Sequence, residues 1–339
     1  MESLIDIQKR LLPDLLEVMQ KRHQILRSIR FMQPVGRRSL AQNMGLTERV
    51  LRSEVEFLNN QDLIDIKTSG MIMTEEGTKL LENLESMMRE ISGINVMEQE
   101  LKTLLNLNQI VIVPGNSDES PWVKEELGRA SASSMKRRLK GNTIIAVTGG
   151  STMAAVAEGL TPDFSDDTLF VPARGGIGED VKNQANTICS KMAEHTRTRH
   201  RVLYVPDQVS KEVYKSFLKE PMIKEVLNLI KSANMVLHGI GDAITMAERR
   251  KTTDEDFEKI TRGHAVGEAF GYYFNEAGEV VHKVPTIGLQ LEDLSHIENV
   301  IAVAGGSSKA KAIRAYMKSA PHKTVLITDE GAARELLKG

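Results

Sequence analysis

Apolar positions recur along this chain with two different periods, and the change from one to the other near residue 108 divides it. Before that point the helical period dominates. Leu15 to Arg30 predicts a helix with Ile25, Leu26 and Ile29 on its apolar face. Ser39-Leu40-Ala41-Gln42 has capping-box spacing and predicts a short helix with Leu40, Ala41 and Met44 inward and Gly45 as its stop. Thr47 then stands as the N-cap of a second helix from Glu48 to about Asn60. At about 100° per residue, Leu51, Val55 and Leu58 share one side of it, and Arg49, Arg52, Ser53 and Glu56 share the other. Leu63 to Lys67 and Met71 to Met73 read as two strands turning at Ser69-Gly70. From Glu75 the chain is helical again. Leu80, Leu84, Met87, Ile91 and Ile94 form a short heptad seam that Gly93 interrupts.

Beyond residue 108, short apolar runs alternate with helical stretches. The expected strands are Ile110–Val113, Ile144–Val147, Leu169–Val171, Val202–Val205, Met235–His238, Val300–Ala304 and Thr324–Ile327. Such alternation predicts an α/β domain, a Rossmann-like parallel sheet wrapped by helices. The expected division is residues 1–74, 75–107 as a connecting helix whose seam either packs on its own domain or pairs with a second copy, and 108–339.

Charge changes the picture at one end only. The 339 residues carry 44 Lys+Arg against 46 Asp+Glu, a net of −2. Yet Lys9 to Arg52 holds ten basic residues and three acidic ones, an excess of +7 in a chain that is negative overall. A basic cluster can be a solvated surface, but here it coincides with two helices joined by a tight turn and followed by a two-stranded wing. That is a winged helix-turn-helix, and its partner is double-stranded DNA. Arg49 and Arg52 are placed to reach base edges, with Thr47 and Ser53 beside them. Arg37, Arg38 and, on the wing, Lys67 are placed to touch phosphate. Apolar content of 41% excludes wholesale disorder, no apolar run is long enough to span a membrane, and the single Cys189 excludes an internal disulfide. These features lead us to expect a cytoplasmic protein.

In parallel sheets ligands bind beyond the carboxyl ends of the strands. The residues there are glycine-rich: Thr148-Gly149-Gly150-Ser151-Thr152, Ala173-Arg174-Gly175-Gly176, Gly239-Ile240-Gly241-Asp242 and Gly305-Gly306-Ser307-Ser308-Lys309. Glycines admit an oxyanion close to backbone N–H groups, while hydroxyls, a helix N-terminus and a cation add to its binding. Two loops combining glycine, hydroxyls and a nearby cation suggest two phosphate subsites, so the expected ligand is phosphorylated. No P-loop, complete dinucleotide fingerprint or nucleophile elbow occurs. No metal-ligand spacing is present either, His195 and His200 reading as a surface loop. We expect no metal and no cofactor.

Several long motifs resemble the SorC family of sugar-responsive transcriptional repressors. They are Gly36-Arg37-Arg38-Ser39-Leu40, Val171-Pro172-Ala173-Arg174-Gly175-Gly176, Gly178-Glu179-Asp180-Val181-Lys182-Asn183-Gln184-Ala185-Asn186-Thr187, Glu268-Ala269-Phe270-Gly271-Tyr272-Tyr273-Phe274-Asn275 and Ala304-Gly305-Gly306-Ser307-Ser308-Lys309-Ala310. The resemblance implies a winged-helix domain joined to an effector domain similar to sugar-phosphate isomerases and deaminases. It also implies repression of the operon for the triose-phosphate segment of glycolysis, with fructose 1,6-bisphosphate as inducer. The family's effector site maps onto Gly149, Gly150, Ser151, Thr152, Arg174, Gln184, Arg249, Arg250, Glu268 and Lys309, Ser151 standing where a second threonine is expected. On that mapping one phosphate is placed on Gly149–Thr152 with Lys309 and the other near Arg174 with Arg249 or Arg250. Glu268 and Gln184 are left for sugar hydroxyls. Self-association as a dimer or tetramer follows from the symmetry of operator sites. The rival reading is an isomerase or deaminase using Asp242, His264 or Glu268 as acid and base. A third keeps the repressor but changes the inducer to a sugar monophosphate.

Overall fold

A computed structural model describes residues 4–176, 180–207, 209–217 and 219–339, in two compact units, Met1–Val96 and Met97–Gly339. Of the motif around Asp180, Gly178 and Glu179 lie outside the described residues.

The first unit is built from α1 (Leu4–Leu11), α2 (Pro13–Met32), α3 (Arg37–Asn43), α4 (Glu48–Asn60), β1 (Ile64–Lys67), β2 (Gly70–Met73) and α5 (Glu75–Ile91). Its core gathers Ile25, Leu26 and Ile29 of α2 with Leu40 and Ala41 of α3, and Leu51, Val55 and Leu58 of α4, closed by Ile64 and Met71 of the wing. Thr47 caps α4, its Oγ1 accepting the Val50 N–H at 3.3 Å. Three expectations need correction. First, α3 starts at Arg37 with Gly36 as its cap, so Ser39 lies inside the helix and closes no capping box. Second, Glu54 of α4 is buried and takes Lys21 Nζ at 2.6 Å and Arg22 Nε at 2.8 Å, so Lys21 and Arg22 are already paired within the unit. Third, the heptad seam is occupied: Leu84, Met87, Met88 and Ile91 pack on Leu16 and Met19 of α2. Gly93, at φ +72, ends α5 before α6 (Ile94–Leu104).

The second unit continues with β3 (Gln109–Val113), α7 (Trp122–Lys136), β4 (Ile144–Val147), α8 (Ser151–Glu158), β5 (Leu169–Pro172), α9 (Ala185–Thr196), β6 (Arg199–His200), α10 (Lys211–Phe217), α11 (Pro221–Lys231) and β7 (Met235–Gly239). Then come β8 (Gly241–Asp242), α12 (Ala243–Arg249), α13 (Asp254–Arg262), β9 (Ala265–Ala269), β10 (Tyr272–Asn275), β11 (Val280–Lys283), β12 (Asn299–Val303), α14 (Ala310–Met317), β13 (Val325–Asp329) and α15 (Glu330–Lys338). Among the described residues seven strands form one parallel sheet in the order β3-β13-β12-β7-β4-β5-β6. Its central strands are buried on both faces, which is why they read as unbroken apolar runs. The order reverses between β4 and β7: the chain leaves β4 toward β5 and returns through β7 toward β12. Loops diverge there and leave a crevice.

Here too the expectations shift. Val202–Val205 is not a sheet strand; the edge strand lies earlier, at Arg199–His200. Leu203 is instead clasped by the Asn186 side chain, whose Oδ1 accepts the Leu203 N–H at 2.9 Å. His195 belongs to the last turn of α9 and His200 to β6, so neither is in a loop. A second, antiparallel sheet, β11-β10-β9-β8, was not expected. It carries Glu268 on β9, and Gly267 lets it close on α14, since a Cβ there would meet Ala312 Cα at 2.8 Å.

Candidate functional site

The crevice between β4 and β7 opens into a cleft. All ten expected effector residues line it: Gly149, Gly150, Ser151, Thr152, Arg174, Gln184, Arg249, Arg250, Glu268 and Lys309.

The first wall is the turn from β4 into α8. Gly150, at φ +122, holds the turn and gives its N–H to the Asn183 carbonyl at 2.8 Å. Gly149 is glycine because a Cβ would come within 2.6 Å of that same carbonyl. Helix α8 has no side-chain cap. The N–H groups of Ser151, Thr152 and Met153 therefore have no acceptor among the described residues, with two hydroxyls beside them. An uncapped N-terminus facing a cleft offers free donors and a positive dipole end of the kind that suits an anion.

The opposite wall is a closed square of charge. Arg174 makes a forked pair with Asp207, Nε to Oδ1 at 2.9 Å and Nη2 to Oδ2 at 2.8 Å. Arg250 reaches Asp207 with Nη1 and Glu268 with Nη2, the latter at 2.7 Å. Arg174 Nη1 lies 3.5 Å from Glu268 Oε1, closing the figure. All four side chains are at most 6% exposed. Burial alone would lower the pKa of Arg250, but Glu268 and Asp207 outweigh it and hold it raised. Two cations and two anions cancel here, so these arginines spend their charge inside the protein. Glu268 Oε1 also accepts the Gly271 N–H at 2.5 Å. Its Oε2 lies beside Gly241 and has no hydrogen-bond partner among the described residues.

The cations not spent this way are Arg249, at the end of α12, and Lys309. Neither has an ion-pair partner among the described residues. Burial, and then the charge of Lys124, lower the pKa of the Lys309 ammonium. Asp118 and Asp329 act against this lowering; a partly buried cation near other cations is stabilised by an incoming anion.

The loop leading to Lys309 differs from its expected role. Asp118 takes the Ser308 N–H at 2.8 Å and both Ser307 and Ser308 hydroxyls at 3.1 Å, and Asp329 takes the Gly306 N–H at 2.7 Å. A Cβ on Gly306 would sit 2.3 Å from Asp118 Oδ1. The glycines and serines of this loop thus accommodate carboxylates of the chain itself, and only Lys309 reaches the cleft. Burial would raise the pKa of Asp118, but the Ser308 and Ser307 hydrogen bonds prevail and lower it.

Asp207 was missed by sequence reasoning. It follows Pro206 outside any glycine-rich loop, so no motif marked it. Asp242 is the cap of α12, its Oδ1 accepting the Thr245 N–H at 2.9 Å and the Thr245 hydroxyl at 2.8 Å. His264 does not line the cleft. Among the described residues no group of His, Cys, Asp and Glu is arranged to hold a metal.

In the first unit Arg37, Arg38, Thr47, Arg49, Arg52, Ser53 and Lys67 are all exposed. Arg37 and Arg38 open α3, Arg49 and Arg52 lie along the first half of α4, and Lys67 ends β1 at the wing tip. Arg52 pairs with Glu56 one turn on, at 2.9 Å, an exposed contact of small value.

Comparison with known proteins adds the following. Residues 18–88 match the family model described as "CggR N-terminal DNA binding domain", and residues 89–338 match the "Putative sugar-binding domain". The chain is 63% identical over 340 residues to the central glycolytic genes regulator of Priestia megaterium and 59% identical over 339 residues to that of Bacillus subtilis, covering all of this chain and 99% of each relative. A crystal structure of a "putative SorC family transcriptional regulator" from Enterococcus faecalis superposes with a TM-score of 0.68 at 49% identity, over 71% of this chain and 99% of that one. The full-length sorbitol operon regulator of Klebsiella pneumoniae shares the fold, with a TM-score of 0.65 at 17% identity over 90% of this chain and 94% of that one.

Proposed function

The chain belongs to the SorC family of sugar-binding transcriptional regulators, with the central glycolytic genes regulators, and from that membership we propose that it represses an operon for the triose-phosphate segment of glycolysis and is released by fructose 1,6-bisphosphate. It is a DNA-binding regulator of glycolytic genes and not an enzyme. We read it as acting in the cytoplasm, as a dimer or tetramer on a symmetric operator.

The observation that carries the choice of effector is the pair of separate anion-seeking features facing one cleft. The uncapped end of α8 with Ser151, Thr152 and Lys309 takes one phosphate. Arg249 takes the other, because Arg174 and Arg250 are already neutralised by Asp207 and Glu268. Between them Glu268 Oε2 and the Gln184 amide meet the sugar hydroxyls. A monophosphate satisfies one of these features and leaves the other cation unmet.

Relief of repression requires that the effector bind the DNA-incompetent state better than the DNA-bound one. The test is a titration of the protein on promoter DNA of its own glycolytic operon, with and without millimolar fructose 1,6-bisphosphate, and with glucose 6-phosphate as control. Weaker or rearranged DNA binding with the bisphosphate alone is the expected result. Indifference to every sugar would refute the effector, and an equal response to the monophosphate would refute the two-phosphate assignment.

A further inference from the structure

We propose that Val50 is a base-reading residue of α4, its methyl groups packing on the C5-methyl group of a thymine in the major groove. The inference rests on α4 being the helix that enters that groove.

Helix α4 places its apolar residues in two ways. Leu51, Val55 and Leu58 are at most 1% exposed and belong to the core of the first unit. Val50 is 41% exposed and Phe57 38%, and neither belongs to that core. Phe57 has a partner in its own unit: the Arg22 guanidinium lies 3.5 Å from the centre of its ring, and Arg22 is in turn bonded to Glu54. Val50 stands open to solvent in the first turn of α4, the end of a recognition helix that meets base edges.

A single exposed apolar residue is ordinary on a protein surface. Its place gives this one a meaning. Val50 directly follows Arg49 and, at about 100° per residue, lies about 60° from Ser53; all three are exposed. Neither burial nor helix propensity accounts for valine here, because the side chain is largely in water and a branched Cβ suits a helix less than a straight chain does.

The chemistry of the groove does account for it. Thymine is marked there by a methyl group, which apolar side chains recognise. Arg49 and Arg52 present donors, which suit guanine O6 and N7 and cannot read a methyl group. Valine in a helix keeps essentially one χ1 rotamer, so its two methyl groups point in fixed directions. The turn that carries it is fixed as well, since the Val50 N–H donates to the Thr47 cap at 3.3 Å. Helix α4 therefore presents hydrogen-bond donors and an apolar reader side by side. Covering one methyl group corresponds to about fourfold in affinity.

The test measures binding of the full-length protein to promoter DNA of its own glycolytic operon, each thymine of the bound site being replaced in turn by deoxyuridine. That base keeps every hydrogen-bonding group of thymine and lacks only the methyl group. At one or more positions the replacement should weaken the wild type about fourfold. Val50→Ala should show a similar loss on unmodified DNA, no further loss at those positions, and unchanged responses at the others. Its urea midpoint should stay in place, since an exposed site loses little packing and alanine suits a helix. Val50→Thr keeps the branched shape with one methyl group fewer and should fall between the two. Deoxyuridine losses that are the same in Val50→Ala as in the wild type, or no loss at any thymine, would show that Val50 reads no methyl group. Equal weakening by Val50→Ala on operator and random DNA would show that it only supports the helix. Each of these results overturns the proposal. Full operator discrimination retained by both Arg49→Ala and Arg52→Ala would instead sink the placement of α4 on which the proposal rests.

Discussion

In the unit of residues 1–96 the residues proposed to meet DNA stand in solvent, while in the unit of residues 97–339 most of the charge at the cleft is sealed and paired. Arg49 and Lys67 are exposed and have no ion-pair partner among the described residues. Arg174 and Arg250 are buried, and each is bonded to Asp207. An exposed arginine costs the fold almost nothing and is free to bind; a buried one must be neutralised before any ligand arrives. Substitutions should therefore separate binding from folding in the first unit and join them in the second.

The largest effect should come from breaking the square. Asp207→Ala leaves two buried guanidiniums sharing one carboxylate and should destabilise the second unit by about 3–5 kcal/mol, measured by urea denaturation. A loss below about 1 kcal/mol would show that the square is not integral to the fold.

Next comes pH. His238 has a folded pKa of about 4, below its usual 6.5, so the unfolded chain takes up a proton first as pH falls. The stability it protects is complete above about pH 6.5 and drains away toward pH 4, by about 3 kcal/mol. His23 in the first unit is likewise held near 4, by burial and then by the charge of Arg27. Both units should thus lose stability over the same window, and a flat urea midpoint between pH 7 and 4.5 would contradict both assignments.

Smaller effects belong to the DNA face. Arg49→Ala and Arg52→Ala should each reduce operator-over-random discrimination by about 1–3 kcal/mol while leaving the unfolding midpoint in place. Lys67→Ala should weaken all DNA about equally and lower the slope of log affinity against log salt by about 1. If all three variants lost affinity uniformly on every sequence, the division into base readers and phosphate contacts would fail.

Legibility followed the same contrast. The helix-turn-helix could be read because a cap such as Thr47, a stop such as Gly45 and a face such as Leu51, Val55 and Leu58 are set within a few residues of one another. The start of α3 was misplaced because Ser39 has a capping residue's chemistry, yet Gly36, directly before Arg37, ends the extended segment. The antiparallel sheet was passed over because β8 to β11 are short and lack the unbroken apolar runs of a doubly covered strand.

By itself the sequence determined the order of elements, the basic end, and the glycine-rich loops that the carboxyl ends of the strands would bring together. These depend on periodicity and on turn chemistry, which act over a few residues. Only the tertiary structure decided which donors and charges remain available in the cleft. Two loops of similar composition ended differently: the end of α8 keeps its N–H groups for a ligand, while Gly306 and Ser308 give theirs to Asp329 and Asp118, 23 and 190 residues away in the chain. Arg174 and Arg249 parted in the same way, one paired with Asp207 and one left open. A hydrogen bond reaches about 3 Å, so its partner is chosen by whatever the fold packs alongside, and nothing in the local pattern can name it.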